Sequence, residues 1–129
     1  MNREIKFRVW DNVDYMSSPF TLKDIQDKKI QFTSDYIIMQ FTGLTDKNGK
    51  DIYEGDIVEW GDNSYGKWRR RCCIEWVKSN YRLYGFYYDV SSPEIKASIE
   101  FRFGSFIYEA DGELEIIGNI HETPSFLTK

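Results

Sequence analysis

Lys67-Trp68-Arg69-Arg70-Arg71 is the one concentrated basic segment of this 129-residue chain, and it places an indole among four cations. Guanidinium groups pair with phosphates while a tryptophan stacks on a base, so the segment has the chemistry of a nucleic-acid contact. Lys78 and Arg82 extend it if the strands that carry them pair, because alternate residues of a strand share a face. The competing reading is a solvated loop and strand edge, where positive charge discourages pairing with another sheet. Asp89 with Glu94-Ile95-Lys96 has the residue types of a metal-dependent nuclease, in which two carboxylates hold the metal and a lysine assists the attacking water. Ser91-Ser92-Pro93 separates them, so these carboxylates flank a loop instead of lying on paired strands, and no nuclease is expected. Asp51, Glu54 and Asp56 lie at chain corners, where carboxylates serve the backbone.

Thiol and imidazole chemistry is scarce. Cys72 and Cys73 are neighbours, and a bond between adjacent cysteines strains both the disulfide dihedral and the peptide between them. They are expected to be ordinary strand cysteines, one on each side of a sheet. His121 is the only histidine, set in Asn119-Ile120-His121-Glu122, with neither metal-ligand spacing nor a nucleophile-elbow pattern around it. It is expected to be a surface or capping residue. No metal, cofactor or catalytic residue is assigned.

The elements that must position these groups are mostly strands. Glu4 to Trp10 alternates charged with apolar residues and places Ile5, Phe7 and Val9 on one face. Thr21 with Asp24 three residues later predicts the cap of a short helix or 3₁₀ turn. Ile30 to Phe32 reads as a brief strand, and Tyr36 to Thr42 as a longer one ended by Gly43. Asn48-Gly49 predicts a hairpin with positive φ at both central positions, and Glu54-Gly55-Asp56 a tight corner into Ile57 to Trp60. A long polar loop follows Gly61. Arg71 to Val77 alternates again, Tyr81 to Val90 follows, and Ser91-Ser92-Pro93 ends that strand. Further strand pieces are read at Ile99 to Phe103, Phe106 to Glu109 and, after a hairpin at Asp111-Gly112, Leu114 to Ile117. Gly118-Asn119 bends the chain, and Thr123 to Leu127 is a closing turn or short helix.

Short strands about ten residues apart with glycine-containing turns describe an all-β barrel or coiled assembly of sheets. Residues 1–40 read as an N-terminal strand-and-turn lobe and residues 41–129 as a barrel, together one compact unit over 1–129. The composition is 41% hydrophobic, 29% charged and 17% aromatic, enough for one core. A net charge of −4 excludes a globally basic nucleic-acid coat. No apolar run approaches the ~18 residues of a membrane span, and the N-terminus lacks the apolar region of a secretory signal, so no membrane association and a cytoplasmic location are expected.

Ile38-Met39-Gln40-Phe41-Thr42-Gly43-Leu44-Thr45-Asp46-Lys47-Asn48-Gly49-Lys50-Asp51-Ile52-Tyr53-Glu54-Gly55-Asp56-Ile57-Val58 resembles the hallmark block of the YopX family of phage and prophage proteins. Arg3 to Asp11 is similar to that family's opening and Ile116 to Pro124 to its closing signature, so the resemblance spans the chain and is weakest from Trp60 to Ser98. It implies several coiled β-sheets with an SH3-like barrel in the C-terminal part, minor helical turns, and a gene carried by a bacteriophage or prophage. It implies no activity. Gly43, Asn48, Gly49, Gly55, Asp56, Gly118 and Asn119 are read as a structural turn signature, Gly49 and Gly55 where turns need positive φ.

The expectation is therefore an accessory protein of the bacterial host cytoplasm that acts by binding rather than catalysis. One hypothesis gives it DNA or RNA, held by Lys67, Trp68, Arg69, Arg70 and Arg71. The other makes it a homo-oligomeric interaction or assembly module, with surplus aromatics at an interface with itself or with a host or phage protein.

Overall fold

The computed structural model describes residues 4–31, 33, 35–61, 68–77, 80–102 and 113–127, with backbone alone at 68, 76–77, 80–82, 92–95 and 100–102. Strands β1 (Phe7–Trp10), β2 (Ile37–Thr45) and β3 (Asp51–Tyr53) form one antiparallel sheet in the order β1-β2-β3. A second antiparallel sheet, in the order β7-β6-β5-β4-β8, contains β4 (Asp56–Gly61), β5 (Trp68–Val77), β6 (Asn80–Asp89), β7 (Ser92–Arg102) and β8 (Glu115–Asn119). Among the described strands no pairing joins β7 to β8, so this sheet is open. The division at residue 40 falls within β2, and the three-stranded sheet continues to Tyr53.

Local chemistry accounts for the connections. Thr21 caps the short helix α1 (Leu22–Gln26): its hydroxyl accepts from the Asp24 amide while the Asp24 carboxylate accepts from the Thr21 amide. The closing turn is a 3₁₀ helix, Pro124–Leu127. Three expectations are corrected. Ile30 and Gln31 are not in a strand; they follow the left-handed Lys28 (φ 57°), and Phe32 lies outside the described residues. Ser92 and Pro93 open β7 rather than ending a strand, a place where proline's missing donor is tolerated. The Asn48-Gly49 turn takes positive φ at Gly49 only (80°), because Asp46 organises it. The Gly49 amide donates to the Asp46 carbonyl, and the Asp46 carboxylate accepts from the Asn48 and Lys50 amides. Only the last residue of such a turn needs the left-handed region.

Gly43 does not end β2; it lies within it, at a register shift between Phe41 and Thr45. Gly118 likewise sits in β8 where the pairing with β4 slips between Ile57 and Val58. The expected polar loop after Gly61, the strand at Phe106 to Glu109 and the Asp111-Gly112 hairpin lie outside the described residues.

Register separates the faces of the larger sheet. Val58, Trp60, Cys72, Ile74 and Leu83 share one face and form the core with Ile52 and Leu114. Burial of each such aliphatic side chain contributes about 1.5–3 kcal/mol. Cys73, opposite Tyr84, lies on the other face, so the adjacent cysteines are free, buried and divided between the two sides. Burial pushes the Cys72 thiol up to about 12, which keeps it protonated and inert at neutral pH.

Candidate functional site

From Trp68 on, the basic segment is a strand, not a loop. Arg69, Arg70 and Arg71 occupy β5, opposite Gly61, Trp60 and Glu59 of β4. Strand alternation therefore places Arg70 on the core-cluster side with Trp60, and Arg69 and Arg71 on the other. Glu59 receives both of the latter: its two oxygens accept from Arg69 Nε and Arg71 Nε at 2.8 Å each, and Tyr88 Oη donates to it at 3.2 Å. The Arg71 guanidinium also covers the Tyr88 and Phe126 rings and donates to the Phe126 carbonyl, tying the closing turn to β5. Burial raises the proton affinity of Glu59, but Arg71 and Arg69 outweigh it and hold the carboxyl below its usual range. Two of the cations expected at a phosphate are thus matched internally. Lys67 and Lys78 lie outside the described residues.

The other acidic groups are mostly structural, as their corner positions predict. Asp56 Oδ1 accepts from Arg8 at 2.6 Å while Oδ2 accepts from the Tyr53 amide, so it closes the corner after β3 and joins it to β1. Burial raises its proton affinity more than Arg8 lowers it. Asp51 pairs with Lys6 at 2.6 Å. Asp89 accepts from the Ser91 amide and hydroxyl within its turn, and Lys96 lies over the Phe86 ring. The Asn119 side chain caps the His121 and Glu122 amides.

A cleft of about 210 Å³ opens where the two sheets meet. Ile37, Ile38 and Met39 of β2 form one wall, Ile120 and His121 another, and Cys73, Glu75 and Tyr84 supply the larger sheet's contribution. Gly55 turns the chain there at φ 85°; its amide donates to the Ile74 carbonyl, and its carbonyl accepts from the Ile120 amide. A Cβ at this position would lie 3.2 Å from Met39 Sδ, so glycine serves both the turn and the cleft. His121, expected as a surface or capping residue, is half-buried at the cleft. Its ring stacks on Trp10 at 5.7 Å, and burial lowers its proton affinity. Glu54 also lines the cleft; one oxygen accepts from the Gln40 amide at 2.9 Å, and burial pushes its carboxyl above the usual range. Arg8 donates to the Glu54 backbone carbonyl at 3.4 Å, but among the described residues no cation reaches the Glu54 carboxylate.

This cleft carries no linear signature. Its lining comes from five separated stretches, and the sequence patterns at the Glu54-Gly55 corner, Cys73 and His121 do not link them to one another.

No helix among the described residues is long and apolar enough to cross a membrane. No curated protein matches the chain. Protein EF1440 from Enterococcus faecalis has a similar fold in its crystal structure, with a TM-score of 0.58 and 22% identity over 98% of this chain and 99% of that one. The sequence profile of the YopX protein family matches residues 12–128, nearly the whole length, and the chain belongs to that family.

Proposed function

We propose that this chain is a phage or prophage accessory protein that acts in the host cytoplasm by binding a protein, through the cleft between its sheets and the apolar residues beside it. The observation that carries this reading is the pairing of Ile37 and Ile38, 38% and 51% exposed, with a cleft they help to line. Strand alternation sends the two side chains to opposite faces of β2, so the exposed apolar surface wraps the start of the strand beside the cleft, the kind of surface that partners cover. In this reading the five-stranded sheet is the SH3-like barrel part, and it serves as the platform for the cleft.

The test is Ile38→Asp, a change at an exposed position. Light scattering at micromolar protein and affinity capture from phage-producing cells are compared between the wild type and the variant. A wild-type oligomer that dissociates in Ile38→Asp identifies the partner as a second copy, and a captured protein lost only in the variant identifies another. Identical behaviour of the two proteins in both measurements refutes the reading.

Nucleic-acid binding through Lys67, Trp68, Arg69, Arg70 and Arg71 is the second reading, favoured by three successive arginines on one strand. Its electrostatics are weaker, because Glu59 competes with phosphate for Arg69 and Arg71. Fluorescence anisotropy with labelled DNA and RNA tests it: salt-sensitive binding that strengthens in Glu59→Gln supports it, and no binding by either protein rejects it.

A further inference from the structure

Resting on the protein-binding reading above, we infer that the cleft receives a long basic side chain, lysine or arginine, presented by the partner. Its size points to a side chain rather than a cofactor: about 210 Å³ is below the ~300–1,000 Å³ of typical small-molecule sites. Ile37 and Met39, alternate residues on one face of β2, and Ile120 give it an aliphatic lining that suits the methylene stem of such a residue. Its polar lining is acidic, through Glu54 and Glu75.

Glu54 supplies the charge complementarity. It is a half-buried carboxylate with one backbone donor, and no cation reaches it among the described residues, whereas Asp51, Asp56 and Glu59 each have a basic partner. An ammonium or guanidinium at the cleft would give Glu54 what those three carboxylates already have. The facing groups do not oppose a cation. His121 is held towards its neutral form by burial, and Arg8, the nearby fixed positive charge, is engaged by Asp56 at 2.6 Å. Glu75 and Tyr84 of the larger sheet also line the cleft and hydrogen-bond to each other.

The test is an NMR titration of the labelled full-length protein with Nα-acetyl-lysine methylamide, and in parallel with the norleucine analogue, which keeps the stem and lacks the charge. The lysine probe is expected to shift amides near residues 37–39, 54–55, 73–75 and 120–121 saturably. Its affinity should exceed that of norleucine by at least about tenfold, the equivalent of 1.4 kcal/mol, and Glu54→Gln should remove the difference while leaving the remaining spectrum in place. Equal binding of the two probes, or no shift at the cleft with either, overturns the inference. Its failure is separable from failure of the parent reading. If Ile38→Asp abolishes association while the lysine probe does not bind, only the basic-side-chain assignment falls. If the probe binds while Ile38→Asp changes nothing in association, the site stands and the protein-binding reading falls.

Discussion

Asp56 and Glu59 both lie on β4 and both face arginine, yet their proton affinities are displaced in opposite directions. Asp56 has a side chain 2% exposed and one guanidinium; Glu59 is 12% exposed and has two. Desolvation raises a carboxyl's proton affinity and each cation lowers it, so the balance is set by the number of cations per buried carboxylate. One arginine does not compensate for the burial of Asp56, and two more than compensate for that of Glu59. The first pair fastens β1 to the corner after β3, and the second braces the face of the larger sheet.

That contrast can be broken most forcefully at Asp56. Asp56→Ala leaves Arg8 largely buried without its carboxylate and the Tyr53 amide without its acceptor, and should cost about 3–5 kcal/mol in urea unfolding. A loss below about 1 kcal/mol, the range of an exposed pair, would mean that the pair does not fasten the sheets. The double variant Arg8→Met, Asp56→Asn keeps an acceptor for Tyr53 and removes both charges, and it should recover most of the loss.

Glu59→Gln should cost less, about 1 kcal/mol at pH 7, since its arginines are partly solvated. The folded Glu59 titrates below 4.5, so its contribution is full above that pH and disappears as pH falls through the folded value. The stability gap between wild type and variant should therefore narrow as pH falls below the ordinary carboxylate range, and a constant gap would show that charge is not the cause.

The smallest effect belongs to Glu54→Gln, within about 0.5 kcal/mol of wild type, because glutamine keeps an acceptor for the Gln40 amide. The folded Glu54 titrates above 4.5, so its favourable contribution is present below that value and is lost as pH rises through the folded one. The variant should be level with or ahead of wild type at pH 7 and should lose that margin in acid. A margin that instead grew in acid would contradict the burial of this carboxylate.

Features set by neighbouring residues were legible in the sequence. The Thr21 to Asp24 spacing gave the cap, Asn48-Gly49 and Glu54-Gly55 gave the corners, and the alternation from Cys72 to Glu75 gave the division of the cysteines between two faces. What depends on pairing was not. A run of three arginines after a polar stretch reads as a loop, and only the register with Glu59 and Trp60 shows that it is a strand divided between two environments. The cleft was invisible for the same reason: Ile38, Glu54, Cys73 and His121 become neighbours only when two sheets meet. The stacking of His121 on Trp10 joins residues more than a hundred positions apart, beyond any local pattern.

Asp46 does more than order its own turn. Its second carboxylate oxygen accepts from the Ile116 amide, across 70 residues of chain, and the neighbouring Lys47 amide donates to the Leu114 carbonyl. Leu114 is a fully buried member of the core, and Ile116 packs against it. On the ribosome, residues 46–50 emerge long before their partners, so the hairpin can form while half of its carboxylate's work waits. The core stays unfilled at Leu114 until that residue has left the exit tunnel. Folding of the core therefore waits for Leu114 and Ile116, and nascent chains stalled short of residue 114 should remain protease-sensitive however long the stall lasts.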